Sequence, residues 1–396
     1  MTNASPSPIT LAIDGALAAV LVLSLGLVFI LERSPAKDHT IIIEDQKPSI
    51  VAPAKMKSLR LAVTPEVAEF DDVGRLLDTL GTAYSYRKIP FDNLLEPEKV
   101  SHYDIIFITC SGFPETWLGP ASGGQLRGVE LRSSNEETFG RAKDCLRQFV
   151  NDGGTLYASD LHFNLVAHCF PEFIDRALLA RGAAQTVSAK VVDDGLSEMI
   201  GAEIELTFDQ TSWAAGAFSG QGVKIFLQGN FKSVDGEEKS APLLVKFPHG
   251  NGNVIFTSFH NEKQTSEKEK QLLKYLVFSA VTAGVDAEAD RSMAKGGFSP
   301  TKKNLFSASS EADSVSQAYK NKAVADLQFV LAFPEQGATL ELVVESPDGT
   351  INRKRGTSTI TIDVPNAPVG SWKYSIIAVK IPSENFPFTI TVGKKQ

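Results

Sequence analysis

Residues 155–167 read TLYASDLHFNLVA, a short apolar stretch, then Asp160 and His162, then a helix-like pattern. A second acid–imidazole pair, His260 and Glu262, stands in VIFTSFHNE. Two carboxylates and two imidazoles suffice for acid–base hydrolysis, or for a divalent metal held by Asp160, His162 and His260. The spacings select neither chemistry. No HExxH chelate is present, and His162 and His168 stand six apart, not the three or four that share a helix face. A network of mutually satisfied polar groups is the bland alternative, since buried polar groups usually find partners. No glycine loop of P-loop form surrounds Lys302-Lys303, a pair that reads as solvated, and no cofactor is expected.

These side chains can act together only if the fold brings them together. LRLAV (59–63), DIIFITC (104–110), TLYAS (155–159), VKIFLQG (223–229) and the hairpin APLLVKFPHGNGNVIFTS (241–258) read as strands. Between them DDVGRLLDTL (71–80), ETFGRAKDCLRQFV (137–150), LVAHCFPEFIDRALLARG (165–182) and EKEKQLLKYLVFSAVTAG (267–284) read as helical, the third interrupted by proline. Near-solid apolar strands alternating with helices predict an α/β domain over 58–285, built on a mostly parallel, doubly wound sheet. In such sheets ligands bind beyond the carboxyl ends of the strands. Four segments should therefore converge: Thr64-Pro65-Glu66, Cys110-Ser111-Gly112, Ser159 to His162, and Ser258 to Glu262. Ser111, Gly112, Ser159 and Asn164 are the candidate ligand contacts. Residues 211–222 read as connecting chain.

With these segments in place, the α/β stretch resembles the class I glutamine amidotransferase-like superfamily, including its trehalose-utilisation-like branch. DIIFITCSGFP looks like the strand and turn that supply an oxyanion loop, and VIFTSFHNE like the segment carrying the catalytic histidine and glutamate. The resemblance implies a flavodoxin-like sheet, His260 as general base and Glu262 as its orienting acid. TLYASDLHFNLVA is similar to the nucleophile elbow, with Asp160 at the cysteine position, His162 at a glycine position and Asn164 at the glutamine. A carboxylate is a far weaker nucleophile than a thiolate toward an amide, so the amidotransferase reaction is expected to be absent.

The rest of the chain sets the organisation. After a short tail (1–8), residues 9–31, ITLAIDGALAAVLVLSLGLVFIL, are apolar over a bilayer's thickness apart from Asp14. They read as a transmembrane helix contacting the lipid bilayer. Basic residues follow the span, which places the C-terminal domains in the cytoplasm by the positive-inside rule. Residues 32–57 read as a juxtamembrane linker and the Ser-, Ala- and charge-rich 286–317 as a flexible linker. Residues 318–396 show short alternating strands and turns, predicting a small all-β sandwich. It resembles the jelly-roll or immunoglobulin-like modules appended to bacterial surface proteins, which implies binding. A net charge of −8 argues against nucleic acid as a partner. Cys110, Cys145 and Cys169 show no CxxC spacing and read as buried thiols. The function expected is a single-pass, membrane-anchored, non-catalytic amidotransferase-like scaffold (a pseudoenzyme) working through protein–protein interaction. The alternative is a membrane-tethered hydrolase of a sugar or amide.

Overall fold

A computed structural model describes residues 42–44, 59–81, 84–118, 135–334 and 337–395. Its first strands are β1 (Ile42–Glu44), β2 (Leu61–Thr64), β3 (Tyr86–Lys88), β4 (Ile105–Ile108), β5 (Thr155–Ser159) and β6 (Ile174–Gly182). There follow β7 (Gln185–Val191), β8 (Glu203–Phe208), β9 (Trp213–Phe218), β10 (Lys224–Lys232), β11 (Glu238–His249) and β12 (Gly252–Thr257). The helices are α1 (Val73–Leu80), α2 (Pro97–Val100), α3 (Glu136–Asn151), α4 (Phe163–Cys169), α5 (Asp194–Ile200) and α6 (Glu267–Lys295).

One nine-stranded sheet has the order β3-β2-β4-β5-β12-β11-β10-β7-β8. From β3 to β12 neighbouring strands run parallel, and from β12 to β8 every pairing is antiparallel. This corrects the mostly parallel α/β expectation. Among the described residues strand outweighs helix, 44% against 26%, and the sheets are several. The inner parallel strands β2, β4 and β5 are largely apolar and buried along their whole length because helices cover both their faces, whereas the edge strand β3, Tyr86–Lys88, is partly exposed. The antiparallel outer strands instead alternate: Val187, Ala189 and Val191 of β7 and Ile204, Leu206 and Phe208 of β8 point inward. Residues 165–182 are not continuous helix. Helix α4 ends at Cys169, ahead of Pro171, and Ile174–Gly182 pairs with β9, so residues 211–222 contain a strand.

The C-terminal strands are β13 (Phe298–Ala308), β14 (Ser314–Asn321), β15 (Ala325–Ala332), β16 (Thr339–Glu345), β17 (Ile351–Gly356), β18 (Ile360–Ala367), β19 (Gly370–Lys380) and β20 (Phe386–Lys395). They form two sheets, β13-β20-β15-β18 and β1-β17-β16-β19-β14, around Phe329, Leu342, Trp372, Tyr374 and Phe388. The sandwich therefore begins near 298, and β1, from the stretch read as juxtamembrane linker, pairs in parallel with β17.

Residues 286–317 are not a flexible linker. Helix α6 opens on a Ser266–Glu269 capping box and continues to Lys295, since DAEADRSMAK contains no breaker. Ala289 and Met293 pack on Val330 and Ala332 of β15. The polar residues that suggested a linker are paired: Lys303 Nζ lies 3.1 Å from Asp286 and 2.7 Å from Asp290, and Lys302 lies 2.9 Å from Glu198. Lys302-Lys303 is thus an interdomain clasp, not a solvated pair. Tyr84 Oη, donating to the carbonyl of Asn385, adds a second junction.

Residues 9–31 lie outside the described residues. Among the described residues no helix is long and apolar enough to cross a membrane. The longest, α6, carries Asp286, Glu288, Asp290 and Arg291 in its second half. The expectation of a single-pass placement is corrected to this: no membrane-spanning helix stands among the described residues.

Candidate functional site

Asp160 follows β5 directly, in a 3-10 turn that leads into α4. Its φ of 44° is in the left-handed region, where a residue with a Cβ is uncommon and held by its surroundings. The side chain is buried, at 1% exposure. Oδ1 accepts the Ala214 backbone N–H at 2.7 Å. Oδ2 lies 3.0 Å from His260 Nε2 and accepts from Cys110 Sγ at 3.6 Å. The other imidazole nitrogen, Nδ1, lies 2.9 Å from Asp209 Oδ1. The result is a line of groups, Cys110, Asp160, His260, Asp209.

Sheet topology makes this line. Cys110 follows β4 and His260 follows β12, both at the carboxyl edge of the parallel strands. Four antiparallel reversals beyond β12 return β8 to the same direction, so Asp209, just past β8, reaches the same edge. Asp209 takes the orienting position that the resemblance assigned to Glu262. Glu262 instead pairs with exposed Arg75 at 3.0 Å. The 260–262 turn is fixed from below by Asp71, which accepts from the Asn261 and Glu262 backbone N–H groups at 3.0 and 3.1 Å and from Asn261 Nδ2 at 2.8 Å. Sequence reasoning missed Asp71 and Asp209; the alternation in EIELTF, followed directly by an acid, was the available signal for the second.

His162 does not join the line. Its Nε2 donates to the Thr109 carbonyl at 2.9 Å and lies 3.3 Å from Ser111 Oγ, while the ring packs between Phe91 and Phe113. Burial pushes this imidazole down to about 4, so it is neutral at physiological pH. Ser159 Oγ accepts the Cys110 N–H at 2.9 Å. The Gly112 N–H, an oxyanion-type donor by resemblance, is spent on Glu69 Oε2 at 2.7 Å. Asn164 is buried in α4.

Electrostatics favour a held proton. Burial raises Asp160 above the ordinary carboxylate range, against the opposing pull of His260, the Ala214 N–H and Cys110. Burial would lower His260, but the carboxylates of Asp160, Asp71 and Asp209 outweigh it and the imidazole stays above its usual value. With Asp160 facing Nε2 at 3.0 Å and Asp209 facing Nδ1 at 2.9 Å, the surroundings favour the cationic form of His260. Burial and the Asp160 charge raise the Cys110 thiol well above the ordinary range. Cys110, Asp160 and His260 bring three ligand-type atoms within 4.8 Å of one another, a set in which Cys110 replaces the expected His162. A metal there would have to displace the Asp160–His260 hydrogen bond and strip a reluctant thiol proton.

The crevice beside Asp160 is too narrow to admit a water molecule. Trp213 closes it, stacked on Phe208 with ring centroids 3.9 Å apart and tied by its Nε1–H to the Ala183 carbonyl at 2.8 Å. Gly182 permits this seat, because a Cβ there would stand 2.0 Å from the indole.

Neither a protein-family model nor a curated protein matches the chain. Among solved structures, it is similar to a cytoplasmic protein from Salmonella typhimurium at 12% identity and a TM-score of 0.34, over 55% of this chain and 98% of that one. A β-galactosidase from Bacillus circulans sp. alkalophilus is similar at 10% identity and a TM-score of 0.33, over 80% of this chain and 41% of that one. A glutamine amidotransferase from Thermotoga maritima is similar at 12% identity and a TM-score of 0.32, over 60% of this chain and 94% of that one. Likenesses at this level carry no argument about activity.

Proposed function

We propose that the chain is a catalytically silent, amidotransferase-like binding protein that works through contacts with other proteins. The observation behind this reading is the state of Asp160. The residue at the nucleophile position is spent on the Ala214 N–H and His260, and no water-sized space adjoins it. A reacting group must touch its substrate, and a tied-off, enclosed carboxylate holds the sheet edge together instead. The Gly112 N–H, already bonded to Glu69, fits the same reading.

Replacing Asp160 with Asn tests it. Asparagine can still accept from Ala214 and donate to a neutral His260, yet it is neither nucleophile nor base. Cells lacking the protein should be restored by the Asp160→Asn chain as fully as by the wild type. Failure to restore, from a variant that melts with the wild type, would overturn the proposal.

The line Asp160, His260, Asp209 also favours one second reading, a hydrolase with a carboxylate nucleophile. Asp160 would attack an ester or amide carbon while His260 gives a proton to the leaving group, and the then-neutral His260 would take a proton from the water that cleaves the resulting acyl-enzyme. Regeneration by attack on the Asp160 carbonyl would leave an oxygen from solvent in that carboxylate. A single turnover in heavy-oxygen water, read by mass spectrometry of the Asp160 peptide, separates the two: label supports the hydrolase.

A further inference from the structure

Far from Asp160, a cleft of about 520 Å3 lies between the β10–β11 hairpin, helix α6 and strands β13 and β20 of the sandwich. This volume is in the range of small-molecule sites, which favour domain junctions. Four cations line it, Lys224, Lys246, Arg291 and Lys303, against two acids, Asp286 and Asp290. Lys303 is neutralised by Asp286 and Asp290, and Lys224 by Asp193 at 2.6 Å. Lys246 shares the Asp286–Asp290 pair with Lys303 and is held the less closely of the two. Its nearest acid is Asp286, whose Oδ2 lies 3.9 Å away, beyond hydrogen-bond reach, while Oδ1 accepts from Lys303 and from Thr389 Oγ1 at 3.0 Å. Lys246 lines the cleft with a side chain only 16% exposed, and among the described residues its ammonium makes no hydrogen bond.

An ammonium has three donors and no acceptor, so one largely withdrawn from water without partners is costly. Burial accordingly pulls Lys246 below the ordinary lysine range, against the opposing charge of Asp286. An incoming anion would supply what is missing. Phe226, Tyr275, Ala283 and Leu305 supply apolar wall around it, and exposed Arg291 adds a second cation. We propose that this interdomain cleft binds a small organic anion, a carboxylate or phosphate monoester on a compact apolar ring, with Lys246 as the anchoring cation. The inference is independent of whether Asp160 is silent. Because walls come from both domains, such a ligand would also brace the junction.

The test titrates the full chain with benzoate, phenyl phosphate and neutral benzamide, followed by ligand-detected magnetic resonance and calorimetry. Benzoate or phenyl phosphate should saturate at one per chain, the tighter one naming the head group, with benzamide at least about tenfold weaker. Lys246→Met should weaken the preferred anion by about tenfold or more. Ala287→Trp, which fills the cleft from α6 and leaves Lys246 intact, should abolish binding and decides the matter if Lys246→Met fails to fold. Benzamide binding as well as the anions, undiminished binding in a folded variant, or no saturable binding of either anion would overturn the proposal.

Discussion

His260 Nε2 and Asp160 Oδ2 stand 3.0 Å apart, beside a crevice with no room for a water molecule. Such a pair contributes through the cost of leaving either member alone more than through its own attraction. Asp160→Ala removes the partner of His260 and the acceptor of the Ala214 N–H together, and should cost about 3–5 kcal/mol in denaturant unfolding. Asp160→Asn keeps both contacts and tolerates the left-handed backbone, so it should cost about 1 kcal/mol. Equal losses for the two would refute this division.

The two buried histidines should give stability opposite pH dependences. His260 is raised in the fold, so its contribution is present below its unfolded value of 6.5 and is lost as pH climbs through the folded value. Asp160 is raised as well and acts in the same direction above 3.8. His162 is lowered to about 4, so the unfolded chain takes its proton first and stability falls as pH drops from 6.5 toward 4. That loss amounts to about 3 kcal/mol. Denaturation across pH should show the alkaline fall reduced in His260→Gln and the acid fall reduced in His162→Gln.

Cys110 reports on whether the crevice opens. All three cysteines are buried, and the Cys110 thiol is held protonated beside Asp160. Iodoacetamide should label none of them in the native protein and all of them after unfolding, as read by intact mass. Selective native labelling of Cys110 would reveal an open state and favour the hydrolase.

The interdomain clasp should behave as a unit. Lys303→Met leaves buried Asp286 without its closest cation and should cost about 3–5 kcal/mol. Adding Asp286→Asn should recover part of that loss, giving a coupling of about 1–3 kcal/mol in a double-mutant cycle. Strictly additive losses would show that the two residues do not act together.

The parallel half of the sheet was legible because full burial writes continuous apolar strands, as in IIFI and TLYAS. The convergence of Asp160 and His260 followed from topology alone. The outer strands were not assigned, although Gln185–Val191 and Glu203–Phe208 alternate cleanly, because the βα rhythm of the first half was carried too far. Asp209 was lost with them. The stretch 286–317 misled for a different reason: composition cannot distinguish a solvated charge from one paired across a junction, and Asp286 and Lys303 are paired. His162 was grouped with Asp160 by sequence proximity, but the 3-10 turn sends its ring to the opposite side, against Thr109.

The central claim, that Asp160 serves the fold and performs no chemistry, is tested most directly by ammonia release from glutamine. The full chain at neutral pH should release none above the rate seen with Asp160→Asn. Release that vanishes in Asp160→Asn and in His260→Gln, while both variants stay folded, would contradict it.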